Sequence, residues 1–499
     1  MSESLLLLAP LRIEQLAVGS HQGVRVLRTG MGPEHARLAA AAARASAAPA
    51  IAIAGLCAGI SPELRAGDVI CATELRPDDG EPIAVPGSAL LAAALSRRGL
   101  RVHVGALDCA ARIEGPQERR ARGGGALGLD MESAWLAGGA RGRPLVVLRV
   151  VVDEADRRLL DPRIALAGLR SLGSLRRASA ALVEWAAAVG PRRLVLPEPR
   201  SFCAGVERAI EVVELALARY GTPVYVRRQI VHNEHVVAEL ERRGTVFVEE
   251  LDEVPEGATV VFSAHGVSPT VRREASRRGL VVIDATCPLV AKVHGEARRF
   301  AADGRTIFLI GHRSHEEIEG TLGEAPEAIR VVEDIDAAAR VEARDPERVA
   351  YLTQTTLAVE ETEAIVEVLR SRYPALRGPE SQDICYATAN RQAAVRESAR
   401  DADLVLVAGS RNSSNSRRLV EVARHQGARA HLVEDETELD LAWLRGASRI
   451  VITAGASAPE WIVTRLVAAL GTLGAVEIQE RTTAVESLRF RLPRELTRA

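Results

Sequence analysis

Three cysteines stand in settings where chemistry is expected: "PRSFCAGVERAI" holds Cys203, "DATCPLVAKVH" holds Cys287 and "DICYATANRQ" holds Cys385. None has a second cysteine at the close spacing that zinc sites usually show. A free cysteine is by default a small buried hydrophobe, but these three sit at polar junctions leading into helix-like stretches. A helix N-terminus stabilises the thiolate, the form that binds metal. Three thiolates from three separate segments suit an iron–sulfur cluster better than zinc, and three ligands on four irons leave one iron open.

Polar turns surround these segments in the chain. "VHNEH" offers His232, "FSAHGVS" offers His265, and "GHRSHEEIEGT" offers His312, His315, Glu316, Glu317 and Glu319. A lone histidine in such a turn is more often structural than catalytic, but three turns of this kind in one region shift the balance. "GSRNSSNS" (409–416) sets hydroxyls, amides and one arginine after an apolar run, which suits a nest of donors for phosphate or diphosphate at a helix start. "TAGASAP" repeats the style around Ser457. Nearer the N-terminus, "TGMGPEHA" places Gly30 and Gly32 in a turn whose amides could hold an anion. "GLDMESAWLA" carries Asp130 and Glu132, and "RVVVDEADRR" ends a strand at Asp153. Each of these carboxylates alone reads equally well as a helix cap.

Elements that must position such residues are visible as alternating runs. Strand-like "AIAIAGL", "VICATEL", "TVVFSAHG", "LVVIDATC", "TIFLIGH" and "LVLVAGS" alternate with helix-like "RASAALVEWAAAV" and "AIEVVELALARY". This alternation predicts α/β layers with largely parallel sheets and ligands at strand ends. With 499 residues the chain exceeds one core. "AAAVGPRRLVLPEPRS" marks a helix end and a fresh strand, which sets domains at 1–190 and 191–499. The second domain echoes itself three times, with one cysteine per echo. Hydrophobic residues make up 47% of the chain and aromatics only 3%, which argues against base-stacking nucleic-acid binding. A net charge of −2 gives no general pull toward nucleic acid or anionic membrane. The apolar start "LLLL" follows Glu3 with no basic residue, so it reads as a buried strand rather than a leader. No run of about 18 apolar residues predicts a membrane span. Six cysteines without close pairs predict a cytoplasmic protein.

Taken in order, "PRSFCAGVERAI", "IVHNEHVV", "FSAHGVS", "DATCPLVAKVH", "GHRSHEEIEGTLG", "LTQTTL", "DICYATANRQ", "GSRNSSNSRRL" and "TAGASAP" resemble the 4-hydroxy-3-methylbut-2-enyl diphosphate reductase (LytB) family over residues 192–495. The resemblance implies a three-unit, trefoil-like α/β domain around one [4Fe–4S] cluster held by Cys203, Cys287 and Cys385. It implies diphosphate binding by His232, His265, His315, Ser413, Ser414, Asn415 and Ser457. Glu317 is implied as proton donor, with His315, Thr355 and Thr356 near the substrate hydroxyl. The implied reaction is reductive dehydroxylation of an allylic diphosphate to isopentenyl and dimethylallyl diphosphate, the last step of the methylerythritol phosphate route. Ferredoxin or flavodoxin is the implied electron donor. Two departures stand out: Ser201 replaces a common glycine, and Arg313–Ser314 replace a small pair.

The N-terminal motifs resemble the nucleoside phosphorylase and nucleosidase superfamily over residues 4–185, nearest its hopanoid-associated branch. That likeness implies an α/β domain that binds a purine nucleoside. Gly30 and Gly32 would lie near phosphate or the nucleophile, with Glu14 of "LRIEQLA" close by. Glu132 would hold the ribose hydroxyls and Asp153 would protonate the leaving base. Val152 stands where serine is common, and no aromatic offers a stacking surface. The alternative is a reductase whose N-terminal domain binds or regulates without catalysis. A structural zinc or redox-sensing site is the third reading of the cysteines.

Overall fold

The computed structural model describes residues 3–122, 124–154 and 164–497. They divide into two compact units. The first comprises Met1–Leu194, Asp435–Ile450 and Thr464–Ile478, and the second Val195–Glu434, Val451–Val463 and Gln479–Ala499. The main break lies close to the expected 190/191 border, but two later segments belong with the first unit, which a single cut cannot express.

In the first unit the leucine run forms the strand Leu5–Ala9, buried along its whole length. It pairs in parallel with Val24–Arg28 and Ala50–Gly59, as expected for a strand covered on both faces. Ala50–Gly59 pairs in parallel with Leu145–Asp153 and antiparallel with Gly128–Asp130. Val69–Pro77 pairs antiparallel with Leu145–Asp153 and in parallel with Val102–Cys109, which in turn pairs with Gly128–Asp130. These pairings close a ring of five strands. The expectation of largely parallel pairing is met only in part here. The physical reason lies in residues 60–68, a connection shorter than the roughly dozen residues that a parallel crossover needs.

The second unit carries two sheets and the larger part of a third. One orders Thr245–Val248, Val224–Arg227, Thr259–Phe262 and Val281–Asp284, all parallel. Another sets Thr306–Ile310 between Ile329–Val332 and Val349–Thr353, again parallel. In the third, the order is Arg429–Val433, Leu404–Ala408, Arg449–Ala454, Arg192–Glu198 and Val476–Thr482. Amphipathic helices cover the sheets. Ala204–Tyr220 buries Ala209, Val212, Val213 and Ala216, an i, i+3, i+4, i+7 stripe, against Val224, Val226, Val261 and Ile283. Each such buried valine contributes roughly 1.5–3 kcal/mol. Among the described residues, no helix is long and apolar enough to cross a membrane.

Two glycines let the third sheet's strand ends close around one serine. Gly409, at φ +157°, and Gly455 both lie against Ser416, and a Cβ on either would overlap its Oγ. Ser416 is fully buried in the first turn of Ser414–His425 and bonds to Ser413, so these glycines fix where that helix begins. Gly455→Ala is therefore expected to cost about 1–3 kcal/mol through overpacking, read as a lower midpoint in denaturant unfolding.

Candidate active site

The polar residues of the second unit come together because every strand that carries one ends at the same side of its sheet, where open α/β sheets bind ligands. One cavity is lined by His232, His265, His315, Glu317, Thr355, Thr356, Ser413, Ser414, Asn415 and Ser457, with Cys287 and Cys385 at its wall. A larger cleft of about 630 Å³, lined in part by Glu360, Arg396, Arg417 and Glu421, lies outside this set.

The three cysteines occupy the N-cap positions of Ala204–Tyr220, Pro288–Ala302 and Tyr386–Ala399. Cys203 is not among the cavity-lining residues, yet its sulfur and that of Cys287 both lie beside Gly205. A Cβ there would lie 2.8 Å from Cys287 Sγ and 3.8 Å from Cys203 Sγ, so this glycine keeps the space between the thiols clear. Burial and the neighbouring thiols push Cys287 up to about 12 and Cys385 up to about 11. Thiols so placed become thiolates only with a cationic partner, which the helix N-termini would assist. The donor set thus fits an iron–sulfur group. Ser201, beside Cys203, adopts φ +61°, a conformation that suits glycine. The Arg391 guanidinium donates to its carbonyl at 2.8 and 3.1 Å, and its hydroxyl donates to Glu460 at 2.5 Å, which hold the loop in place.

Glu317 is buried, and burial raises its carboxyl to about 7 despite two hydrogen bonds from Thr355. The Thr355 amide donates to Oε1 at 2.7 Å and its hydroxyl to Oε2 at 2.9 Å. A carboxyl poised near neutrality suits a proton donor. His315 caps the helix Glu316–Glu324 by accepting the Glu317 N–H at Nδ1, 3.2 Å. His232 and His265 stack with centroids 4.1 Å apart, and His315 stands edge-on to both. Burial and the nearby imidazoles lower His232 to about 2 and His315 to about 3, so both rings are neutral. Ser413 and Ser457 hydroxyls lie 3.2 Å apart, and Thr356 donates to Ser414 at 3.1 Å.

Sequence reasoning named Glu316 without a role and missed three further supporting residues. Glu316 pairs with His265 at 3.1 Å. Gln354 donates to Thr356 at 2.7 Å and accepts from the His312 amide. Thr388 lies 3.1 Å from Cys385 Sγ and accepts from Asn415 at 3.4 Å, linking a cysteine to the serine-rich turn. Asp383 accepts from the Thr353 amide and pairs with Lys292 at 3.1 Å. All four lie within or beside the quoted motifs, but only the folded pairing distinguishes them.

In the first unit, Glu14, Asp130, Glu132 and Asp153 line a cavity of about 220 Å³. Gly30 and Gly32 lie beside it, at φ +84° and +83°, while Met31 between them lines it. The Gly32 amide donates to Glu132 Oε1 at 3.1 Å, and the Gly30 amide to the Pro10 carbonyl at 3.1 Å. Arg149, fully buried and not singled out from the sequence, pairs with Asp130 and lies 3.5 Å from Glu132. Arg119, also missed, pairs with Asp153 at 2.8 Å. Arg149 sits in the apolar run "LVVLRVVVD" and Arg119 in the arginine- and glycine-rich "PQERRARGGG", where nothing marks a buried ion pair.

The family model described as LytB protein matches residues 194–471, and that of the Phosphorylase superfamily matches residues 10–178. The 4-hydroxy-3-methylbut-2-enyl diphosphate reductase of Acidothermus cellulolyticus is 58% identical over 308 residues, 62% of this chain and 91% of that protein. Its namesake in Nocardia farcinica is 56% identical over 327 residues, 65% of this chain and 96% of that protein. The solved E-1-hydroxy-2-methyl-but-2-enyl-4-diphosphate reductase of Plasmodium falciparum superposes with a TM-score of 0.60 at 36% identity, covering 62% of this chain and 98% of that one. With these relatives and a model spanning more than half its length, the chain belongs to the LytB protein family.

Proposed function

We propose that the second unit reduces 4-hydroxy-3-methylbut-2-enyl diphosphate to isopentenyl and dimethylallyl diphosphate, the reaction class its relatives are named for. The carrying observation is that two helix-capping cysteines, a buried carboxyl poised near neutrality and a histidine–serine cradle share one cavity, with the third helix-capping cysteine, Cys203, beside Cys287 at Gly205. Cys203, Cys287 and Cys385 would hold one [4Fe–4S] group. When bound, that group supplies two electrons in single steps and an open ligand position for a hydroxyl.

The chain's own residues account for the rest. The stacked His232 and His265, edge-on His315, and the Ser413, Ser414, Asn415 and Ser457 donors would bind the diphosphate. An anion arriving beside neutral imidazoles favours their protonated forms, so binding itself would draw in protons. Glu317, held by both donors of Thr355, would give a proton to the departing hydroxyl, which leaves as water. The C–O bond breaks, two electrons enter from outside, and a second proton completes the allylic carbon. We propose ferredoxin or flavodoxin as the source of those electrons, and the cytoplasm as the setting.

For the first unit we propose a site for a purine nucleoside, with a functional border at 190/191. Glu132 and Asp153 line one cavity with Glu14, which favours a working site over a partner module without catalysis.

Replacing Cys203, Cys287 or Cys385 by serine should each abolish iron and sulfide binding and turnover in anaerobically purified protein; full iron content in any one of them would sink the three-thiolate assignment. Because Glu317 must be protonated to act, and titrates at about 7, activity should fall as pH rises through about 7. Glu317→Gln should lower the rate by about 10²–10⁴-fold and flatten that alkaline limb, measured by the pH dependence of kcat.

A further inference from the structure

A basic side chain stands in the second turn of each cysteine-capped helix: Arg208 after Cys203, Lys292 after Cys287 and Arg391 after Cys385. Each reaches the backbone that leads into the next cysteine. Arg208 Nη1 donates to the Ala285 and Thr286 carbonyls, both at 3.1 Å, just before Cys287. Lys292 Nζ donates to the Ser381 and Gln382 carbonyls at 2.7 and 3.3 Å and to Asp383 at 3.1 Å, just before Cys385. Arg391 donates to the Ser201 carbonyl at 2.8 and 3.1 Å and to the Phe202 carbonyl at 3.1 Å, just before Cys203. The three contacts run in one direction and close on themselves.

Two features set these cations apart from surface charge. Lys292 is the only lysine among 64 basic residues. Three oxygens converge on its one nitrogen, which matches the three donors of an ammonium and not the planar fork of a guanidinium. Arg391 and Arg208 are buried. Arg391 has Glu486 at 3.0 Å as counter-charge, and Lys292 has Asp383 at 3.1 Å. Arg208 forms no ion pair among the described residues; Asp284 alongside it pairs with Arg272 at 2.7 Å. The uncompensated charge of Arg208 reaches the Cys287 sulfur.

We propose that Arg208, Lys292 and Arg391 are positioning residues in a closed ring of cationic clamps, which holds the three thiols at the spacing one iron–sulfur group needs, and that Arg208 also raises that group's reduction potential. The inference rests on the three-thiolate site proposed above. Each cysteine is gripped from both sides: its own N–H bonds a loop of the cavity, and the carbonyls ahead of it bond a cation from the preceding helix. A positive charge beside a group that gains electrons favours its reduced, more negative state. Lys292 and Arg391 are balanced by carboxylates, so that effect falls on Arg208.

The test uses full-length protein purified anaerobically with its cluster, comparing Lys292→Arg, Arg208→Lys and Arg208→Gln with the parent. Lys292→Arg keeps the charge but loses the convergence of three oxygens on one nitrogen, and should shed iron to a chelator about 10–100-fold faster. Arg208→Gln should move the midpoint potential to more negative values, read by electron paramagnetic resonance on the loaded fraction, and Arg208→Lys should return it towards the parent. Denaturant unfolding of the cluster-free forms separates positioning from folding, and their midpoints should match the parent's. Parent-like iron release by Lys292→Arg, or faster release only in step with a lowered unfolding midpoint, overturns the clamp ring. A parent-like potential in Arg208→Gln overturns the charge role. A parent protein that binds no iron overturns the cluster site itself, and the proposed reduction with it.

Discussion

Each of the three cysteines hangs by its backbone amide from a loop that carries a polar residue of the same cavity. Cys203 N–H donates to the Ala456 carbonyl beside Ser457, Cys287 to Ala264 beside His265, and Cys385 to Thr355 itself. The thiol end and the polar end are therefore one construction, and neither can shift without the other. Three helix N-termini point at the thiols, where their amide dipoles favour a collection of negative sulfur ligands. Gly205 has to be bare for two of those sulfurs to approach.

That coupling also explains the low charge of the pocket. Burial makes charged groups costly, so the site keeps His232 and His315 neutral and holds Glu317 near the midpoint of its titration. The proposed recognition of a diphosphate would then rest on many short donors, hydroxyls and an amide, rather than on a field of lysines. The nearly balanced net charge of the chain is consistent with that economy. Asn415 ties the two ends together once more. Its carbonyl accepts from the Ala456 amide at 2.8 Å and its amide reaches Thr388, which touches Cys385.

The first unit solves a different problem with the same strand-end rule. Glu14 and Glu132 follow strands of the sheet and Asp153 ends one, and all three line one cavity. Glu14, Asp130 and Glu132 crowd around one buried arginine, Arg149, while Asp153 pairs with Arg119. Structural caps need no such crowding. The carboxylates that look like separate helix caps in the sequence act on one space in the fold.

The sequence by itself determined the alternation of strands and helices and the types of residue at each strand end. Those follow from local physics: apolar runs that must be buried, and small or polar residues where the chain must turn. It also marked the three cysteines as a set, since each precedes a helix, and the order of motifs carried the family. Only the tertiary structure decided that Thr388 and Gln354 support the site, that Glu316 pairs with His265, and that Arg149 and Arg119 neutralise carboxylates distant in the chain. It decided too that the Gly30–Gly32 turn spends its amides on protein groups. The reason is the same in each case: a hydrogen bond or ion pair between residues far apart in sequence leaves no periodic or local trace, and exists only once packing has closed the space between them.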